Sequence, residues 1–403
     1  MKLLTVSQYF ESHRGGIEIV AGKLAREFAR AGVDVVWLAT DATPAPDFAA
    51  EPRLRAQALV ATNIAERHVG LPYPILAPRA YADIAREVRR ADVVLIHDAL
   101  YLTSIAAYLA ARWIGRPVAV VQHIGAVPFK NPILRWTMAI ANRLVTRSVL
   151  ARSDQTVFIS ETTARQFEGL TYRTRPEVIF NGVDTEIFAP PSGDDEVAAA
   201  RRHFGLPVGS LVALFVGRFV EKKGLPVLER LARARPDVMF AFAGWGPLDP
   251  RAWKLPNVRV FDTLAGASLA RLYRASNSLV LPSTGEGFPL VVQEALACGL
   301  SVICGSETVS ADPGAASFLA AAPIDLDDLD RTAAAFEQAL GACLAAASGR
   351  DRLARAALAA SRYSWPRAAA RYGDLLARLQ SSRAAVVATS SLAGPAPSLP
   401  KRG

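Results

Sequence analysis

The alternation of strand and helix that determines the fold is clearest at residues 278–299, which read SLVLPSTGEGFPLVVQEALACG. The first four residues form the short apolar run of a buried strand, and a helix follows that Pro289 opens and Gly299 stops. Between strand and helix lies a loop in which Glu286 stands between two glycines. A strand that leads through a short loop into an amphipathic helix is the repeating unit of a parallel α/β sheet.

The same unit recurs along most of the chain, in two series separated by a turn-rich, proline-containing segment near residue 190. The predicted strands of the first series are Leu3–Ser7, Val33–Ala39, Asp92–His97, Pro117–His123 and Gln155–Ser160. Those of the second are Leu211–Val216, Val238–Ala243, Val258–Phe261, Ser278–Leu281 and Ser301–Cys304. The sequence therefore predicts two Rossmann-like α/β domains facing each other across a central cleft, over residues 1–188 and 189–362. We expect a helix over 363–380 that returns to the first domain, and a disordered tail over 381–403.

Composition narrows the class of protein but names no function. The chain has 403 residues, of which 51% are apolar, so global disorder is excluded. No apolar run reaches the roughly 18–20 residues of a membrane-spanning helix, and the N-terminus predicts a first strand instead of a signal peptide. Three cysteines without a CxxC pair predict a reducing, cytoplasmic compartment. The net charge of +9 leaves nucleic acid and anionic membrane as partners to consider.

Two loops carry residues suited to an anionic ligand. Gly15 and Gly16 open directly into the first helix, where backbone N–H groups and the helix dipole favour an anion. The pattern is not GxGxxG, so it gives no support to a dinucleotide-dependent dehydrogenase, and a plain tight turn is the alternative. In the second loop, Arg218 and Lys223 can converge on one diphosphate, whereas a solvated charged loop is the alternative.

The loop at Glu286 is the strongest candidate. Glu286 precedes a helix N-terminus that suits a phosphate, and its carboxylate can hold sugar hydroxyls. Glu294 lies in the second turn of the same helix. The alternatives are capping of the helix dipole for Glu286 and a solvated helix face for Glu294.

Taken in order and spacing, these motifs resemble the GT-B-fold retaining glycosyltransferases of the family 4 group. The resemblance covers residues 1–380. It rests on Gly15-Gly16-Ile17-Glu18, Phe180-Asn181-Gly182-Val183-Asp184, Val216-Gly217-Arg218, Lys222-Lys223-Gly224, Gly244-Trp245-Gly246-Pro247 and the pair Glu286 and Glu294. After Cys304 the chain departs from the usual family pattern, which leaves the sugar and the nucleotide base open.

The resemblance implies a role for each matching residue. Arg218 and Lys223 would bind the diphosphate of a UDP-, GDP- or similar nucleotide-sugar, Glu286 the transferred sugar and Glu294 the ribose. His123 matches an active-site histidine of the family. The resemblance implies further donor or acceptor contacts from Gly15, Gly16, Gly246, Gly287, Phe288 and Leu290.

The chemistry agrees with these residue types. Negative charge develops on the leaving diphosphate, and Arg218, Lys223 and a helix dipole address it. The resemblance implies same-face attack with retained stereochemistry, and no convincing carboxylate pair supports a double displacement instead. The segment Asp325-Leu326-Asp327-Asp328 contains a DxD pattern, but it leads a helical stretch and is expected to cap it. We therefore expect no catalytic metal and no cofactor.

The acceptor is expected on the first domain, where one segment has an unusual excess of basic residues. Between Asp98 and Asp154 the chain has no acidic residue and seven basic ones. Residues 128–152 combine arginines with Trp136 and other apolar residues, which is typical of a helix that attaches to an anionic membrane surface. An ordinary helix with solvated arginines is the alternative. His97 ends a strand near the cleft and is expected either there or as a buried, hydrogen-bonded histidine.

The sequence therefore predicts a cytoplasmic, metal-independent, retaining glycosyltransferase of the hexosyltransferase type. Its acceptor would be a glycan or lipid-linked precursor in cell-envelope or exopolysaccharide biosynthesis, with peripheral attachment to the inner face of the plasma membrane. The alternatives are a GT-B nucleotide-sugar epimerase and a non-catalytic carbohydrate- or lipid-binding module. Nucleic-acid binding has only the charge in its favour, without a recognition motif.

Overall fold

A computed structural model describes residues 1–62, 74–125, 132–262, 264–345 and 349–392. The strands are β1 Lys2–Val6, β2 Asp34–Thr40, β3 Leu54–Leu59, β4 Ala61–Thr62, β5 Ile75–Leu76, β6 Val93–His97, β7 Val118–Gln122, β8 Gln155–Phe158, β9 Glu177–Val178, β10 Leu211–Val216, β11 Val238–Ala243, β12 Val258–Phe261, β13 Ser278–Leu281, β14 Ser301–Gly305 and β15 Leu319–Ala322. The α-helices are α1 Gly16–Arg30, α2 Pro78–Arg90, α3 Leu102–Ile114, α4 Pro132–Ala141, α5 Arg147–Arg152, α6 Glu161–Arg165, α7 Asp194–His203, α8 Leu225–Ala234, α9 Gly266–Ala275, α10 Leu290–Ala297, α11 Ser306–Val309, α12 Leu329–Ala345, α13 Gly349–Arg362 and α14 Trp365–Leu392. A π-helical turn, Asn142–Thr146, joins α4 to α5.

Two parallel sheets form the two halves of the molecule. The first has seven strands in the order β3-β2-β1-β6-β7-β8-β9, and the second has six in the order β12-β11-β10-β13-β14-β15. The strand order reverses between β1 and β6 and between β10 and β13. Ligands of doubly wound sheets bind at the carboxyl ends of the strands beside such a reversal. The predicted α/β fold of two Rossmann-like domains is therefore confirmed.

The sheets are buried on both faces, which explains why their strands read as continuous apolar runs. All five residues of β6 are buried. Neighbouring residues of one strand point to opposite faces of the sheet. Leu3 accordingly packs in one hydrophobic core of the first domain and Leu4 in the other. Helix α1 packs on the sheet through Val20, Leu24 and Phe28, the residues that its period of 3.6 places on one face.

The chain passes from one core to the next shortly before residue 188. Ile179 belongs to the core of the first domain, whereas Val183 and Phe188 pack in the core of the second. The predicted boundary at 188/189 lies a few residues after this change of core. Gly182 is needed here because a Cβ on it would lie 2.4 Å from the ring of Trp365.

Helix α14 packs on the first domain. Tyr372, Leu375 and Leu376 complete the core beside α1, and Arg378 pairs with Glu177 at 2.6 Å. The helix continues to Leu392, so the prediction of disorder from residue 381 does not hold over 381–392. Alanine is the strongest helix former, and it prolongs a helix that packing has already nucleated. The rest of the predicted tail, 393–403, lies outside the described residues.

Candidate active site

The carboxyl ends of the two sheets meet at a cleft between the domains. Gly287, in the loop after β13, is so close to the end of β7 that a Cβ on it would lie 3.0 Å from the carbonyl oxygen of His123. The hydroxyl Oγ1 of Thr162 in α6 donates to the carbonyl of Glu307 at 3.1 Å, and the backbone N–H of Glu161 donates to the carbonyl of Ala311 at 2.9 Å. The loop that carries Glu286 therefore faces the first domain directly.

Lys223 and Glu286 form an ion pair in the second domain. Lys223 Nζ lies 2.9 Å from Glu286 Oε1, and each side chain is only 16% exposed. The two residues meet because β10 and β13 are neighbours, so the loops that follow them share one edge of the sheet. The backbone N–H of Thr284 donates to the carbonyl of Lys222 at 3.0 Å and ties the loops together. A partly buried ion pair at this place contradicts the alternative of a freely solvated charged loop.

Arg218 lies on the same loop after β10 as Lys223. It is exposed, and its guanidinium lies 5.1 Å from the ring centroid of Trp245. The backbone N–H of Phe219 donates to the carbonyl of Trp245 at 2.7 Å. Gly246 has φ 157°, and a Cβ on it would lie 2.5 Å from the carbonyl oxygen of Phe219. Gly246 thus lets the loops after β10 and β11 pack together and places Trp245 against Arg218. The sequence motif contains Trp245, but only the structure shows this contact.

Glu294 lies on α10 and receives a hydrogen bond of 2.9 Å from the hydroxyl of Tyr273. Burial raises the pKa of its carboxyl to about 7, against a smaller opposing effect of this hydrogen bond and of Lys23 from α1 of the first domain. The alternative of a solvated helix face is therefore wrong.

The remaining predicted residues of this loop contribute in different ways. Phe288 is buried, with its ring centroid 5.5 Å from that of Tyr363 and 5.9 Å from that of Phe180. Because its side chain packs in the core of the second domain, only its backbone can contact a ligand. Leu290 begins α10 and packs against the core that contains Trp365.

In the first domain, His123 and His97 form a buried pair. Nδ1 of His97 lies 3.1 Å from Nε2 of His123. Burial lowers the pKa of His97 to about 3 and that of His123 well below its usual value, so both rings are neutral at pH 7. His97 therefore fits both expectations: it lies beside His123 near the cleft, and it is buried and hydrogen-bonded.

Asp98 is a residue that the sequence did not single out. It is buried at the end of β6, has φ 65°, and accepts a hydrogen bond of 2.5 Å from the amide of Gln122. Burial raises the pKa of its carboxyl well above the usual value, against opposing hydrogen bonds from the backbone of His123 and Ile124. Left-handed backbone at an aspartate is uncommon, and here it turns the side chain onto the loop that carries His123.

Gly15 and Gly16 begin α1 at the carboxyl end of β1. A Cβ on Gly15 would lie 2.1 Å from Glu18 Oε2, whereas Gly16 has open space beside it. Glu18 is buried, which raises the pKa of its carboxyl to about 7. In the described part of the chain no hydrogen bond joins either glycine to Lys223 or Glu286.

The acidic segment at Asp325 caps a helix, as predicted. Asp328 Oδ1 accepts a hydrogen bond of 2.9 Å from the backbone N–H of Arg331 at the start of α12, and Asp325 Oδ1 accepts one of 3.0 Å from Asp327. Within the described ranges, no group of three or more His, Cys, Asp or Glu side chains is placed to hold a metal ion.

Comparison with known proteins extends this picture. The sequence profile described as Glycosyltransferase Family 4 matches residues 14–187, and that described as Glycosyl transferases group 1 matches residues 210–341. The chain is 32% identical over 327 residues to D-inositol 3-phosphate glycosyltransferase 1 of Catenulispora acidiphila, covering 72% of this chain and 74% of that protein. It is 29% identical over 402 residues to the D-inositol 3-phosphate glycosyltransferase of Xylanimonas cellulosilytica, covering 92% and 93%.

Solved structures agree at the level of the fold. Sucrose-phosphate synthase from Thermosynechococcus elongatus superposes with a TM-score of 0.69 at 18% identity, covering 95% of this chain and 100% of that one. Anabaena HepE in complex with UDP-glucose superposes with a TM-score of 0.66 at 17% identity, covering 94% and 100%. These neighbours have the GT-B fold. The two profile matches and the relative at 32% identity show that the chain belongs to the family 4, group 1 glycosyltransferases.

Proposed function

We propose that this protein transfers a sugar, with retained stereochemistry, from a nucleotide-diphosphate sugar to a glycan or lipid-linked acceptor in cell-envelope or exopolysaccharide biosynthesis. The observation that carries the proposal is the Lys223–Glu286 pair at the strand reversal of the second sheet, where the loop after β10 also holds Arg218. These residues offer two cations for a diphosphate and a carboxylate for sugar hydroxyls within one short span. The solved neighbour HepE was captured with UDP-glucose, which supports a nucleotide-sugar donor.

In the proposed reaction the C–O bond between the anomeric carbon and the diphosphate breaks, and the electron pair goes to the phosphate oxygen. Arg218 and Lys223 stabilise that developing charge, as does the N-terminal end of α10. Because these groups already supply positive charge, we propose that transfer needs no metal ion. Glu286 orients the sugar, and Glu294 accepts from the ribose hydroxyls.

The acceptor hydroxyl attacks from the face that the diphosphate leaves, and its proton passes to the departing phosphate oxygen. We place the acceptor against the first domain, where His123 and Asp98 end neighbouring strands beside Gly287. A neutral His123 suits a hydrogen bond to an uncharged hydroxyl. Relatives named for D-inositol 3-phosphate support a polyhydroxylated acceptor.

The stereochemical part of the proposal is tested on the product. Proton NMR of the first product formed from an α-linked donor should show an α-linkage, from the coupling constant of the anomeric proton. A β-linked product would contradict retention. An epimerised nucleotide sugar without transfer to any acceptor would identify the epimerase instead.

Trp245 gives a prediction about the donor site. Replacing Trp245 with alanine removes the ring on which Arg218 stacks, and an exposed cation–π contact contributes about 0.5–1 kcal/mol. We expect the Kd for the nucleoside diphosphate to rise about 2- to 5-fold in calorimetric titration. Trp245→Phe should keep most of the affinity, because it preserves an aromatic face. Equal losses in both variants would show that Trp245 acts through something other than stacking on Arg218.

We also propose that the first domain rests on an anionic membrane surface at the cytoplasmic face. Trp136 is 67% exposed and Leu144 is 64% exposed, in the segment rich in arginine. On the neighbouring helix α3, Trp113 is 90% exposed. Both helical segments pack on the same hydrophobic core of the first sheet, through Tyr108 of α3 and Leu150 of α5. Exposed tryptophan beside a segment rich in arginine matches a lipid surface of negative charge. No described helix is long and apolar enough to span a membrane.

Vesicle binding tests this surface. The double variant Arg143→Gln/Arg147→Gln should lose most of its co-sedimentation with phosphatidylglycerol vesicles, since each basic residue near the surface contributes about 1 kcal/mol. Trp136→Ala should weaken it further. The control Arg202→Gln/Arg271→Gln removes the same charge from exposed positions of the second domain. Pelleting that is unchanged in the first double variant, or absent in the parent protein, would contradict the proposal.

A further inference from the structure

A second cavity lies where the two domains and the returning helix meet. It encloses about 350 Å³. Val178 contributes from β9 of the first domain, Gly314 from the second domain, and Arg362, Arg367 and Arg371 from the C-terminal helices. None of the candidate donor residues lines it. Its volume suits a small molecule.

One wall of this cavity is rigidly built around Arg362. Its Nε and Nη2 groups donate to the buried carboxylate of Asp312 at 2.5 and 2.6 Å, and its guanidinium lies 5.1 Å from the ring centroid of Phe180. A Cβ on Gly314 would lie 2.7 Å from Arg362 Nη2, so glycine at 314 leaves room for this arrangement. The Nη1 group of Arg362 has no described hydrogen-bond partner and remains available to a ligand.

The other two arginines lie one turn apart on α14. Arg371 is only loosely paired, with its Nη2 3.8 Å from Glu177 Oε2, because Arg378 binds the other oxygen of Glu177 at 2.6 Å. Arg367 makes no ion pair in the part of the chain that the structure describes. Both side chains are exposed.

The charges in the cavity do not balance. Besides the three guanidinium groups it contains the carboxylates of Asp312 and Glu161. The carboxylate of Asp312 is already fully hydrogen-bonded, since besides Arg362 it accepts from the hydroxyl of Tyr363 at 2.5 Å and from the backbone N–H of Gly314 at 2.9 Å. Positive charge is therefore in excess, and a bound anion would relieve the repulsion between the guanidinium groups.

We propose that this cavity binds a phosphate group, as inorganic phosphate or as a phosphorylated small molecule, separately from the donor site. Arginine is the residue best suited to phosphate, because its planar fork donates two parallel hydrogen bonds. The walls belong to both domains and to α14, so an anion bound there stabilises the arrangement in which these parts meet. The inference does not depend on the proposed transfer reaction.

Calorimetric titration with inorganic phosphate, at constant ionic strength, tests this site. We expect saturable binding to the parent and at least about 10-fold weaker binding to Arg367→Gln/Arg371→Gln, because two charge-assisted hydrogen bonds are lost. The charge-matched control Arg202→Gln/Arg271→Gln should bind like the parent. A parallel titration with glucose 6-phosphate distinguishes the free ion from a phosphate monoester as the better ligand.

The donor site is a second place where phosphate can bind, so Lys223→Ala is titrated as well. The proposal requires that Lys223→Ala still binds phosphate in the cavity. Loss of all binding in Lys223→Ala would overturn it, as would no saturable binding to the parent or unchanged binding to Arg367→Gln/Arg371→Gln. The exposed positions of Arg367 and Arg371 predict that the double variant folds, and its circular dichroism and Tm verify this. Should the double variant not fold, Arg367→Gln alone replaces it.

Discussion

Replacing Lys223 with alanine is expected to lower kcat for sugar transfer about 100- to 1,000-fold. The substitution removes a cation that stabilises the leaving diphosphate, and one such electrostatic contact contributes about 3 kcal/mol to the transition state. It also leaves Glu286 without its partner at 2.9 Å in a site that is only 16% exposed. The measurement is the rate at which nucleoside diphosphate is released at saturating donor and acceptor.

Two controls make this result specific. Lys223→Arg keeps the positive charge and should retain part of the activity. Lys2→Ala removes a lysine at the opposite, amino edge of the first sheet and should behave like the parent. If Lys223→Ala retained more than a tenth of the parent kcat, Lys223 would not act on the leaving group.

Replacing Asp312 with alanine is expected to lower the free energy of unfolding by about 2–4 kcal/mol, because it leaves the buried hydroxyl of Tyr363 without its acceptor and removes the charge-assisted hydrogen bonds from Arg362. Asp312 is fully buried and accepts hydrogen bonds from Arg362, Tyr363 and Gly314. It thereby fixes the end of α13 at the junction of the two domains. Denaturant unfolding followed by circular dichroism measures the change.

An exposed ion pair in the same protein provides the matched control. Asp330 contacts Arg230 at 2.5 Å, the same distance as Asp312 to Arg362, but its side chain is 86% exposed. Asp330→Ala should therefore change the free energy of unfolding by less than about 1 kcal/mol. Similar losses from both substitutions would mean that burial does not determine the contribution of Asp312.

Much of the fold could be predicted because central parallel strands have a strong local signal. The runs at β10 and β11 are apolar without interruption, and that at β6 is apolar up to its last residue, His97, so the sequence predicts all three nearly to the residue. The edge strand β3, Leu54–Leu59, was missed because it reads LRAQAL, with polar residues that face solvent. Its partner β2 determines its conformation, and that pairing is not visible in a local window.

The site could be predicted only in parts. Lys223 and Glu286 each stood out in a glycine-bracketed loop at a strand end, but their contact depends on the adjacency of β10 and β13. Asp98 gave no local signal, because its left-handed backbone and its burial result from packing. Trp245 became informative only when the structure placed its ring beside Arg218.

The central claim is that the second domain binds a nucleotide-diphosphate sugar through Lys223. The most direct test measures the Tm of the parent protein and of Lys223→Ala with a panel of UDP-, GDP- and ADP-sugars. At a concentration of 100 times its Kd, the correct donor should stabilise the parent by about 2.7 kcal/mol. One donor class should raise the Tm of the parent, and Lys223→Ala should lose this stabilisation. No stabilisation by any nucleotide sugar, or stabilisation that is unchanged in Lys223→Ala, would contradict it.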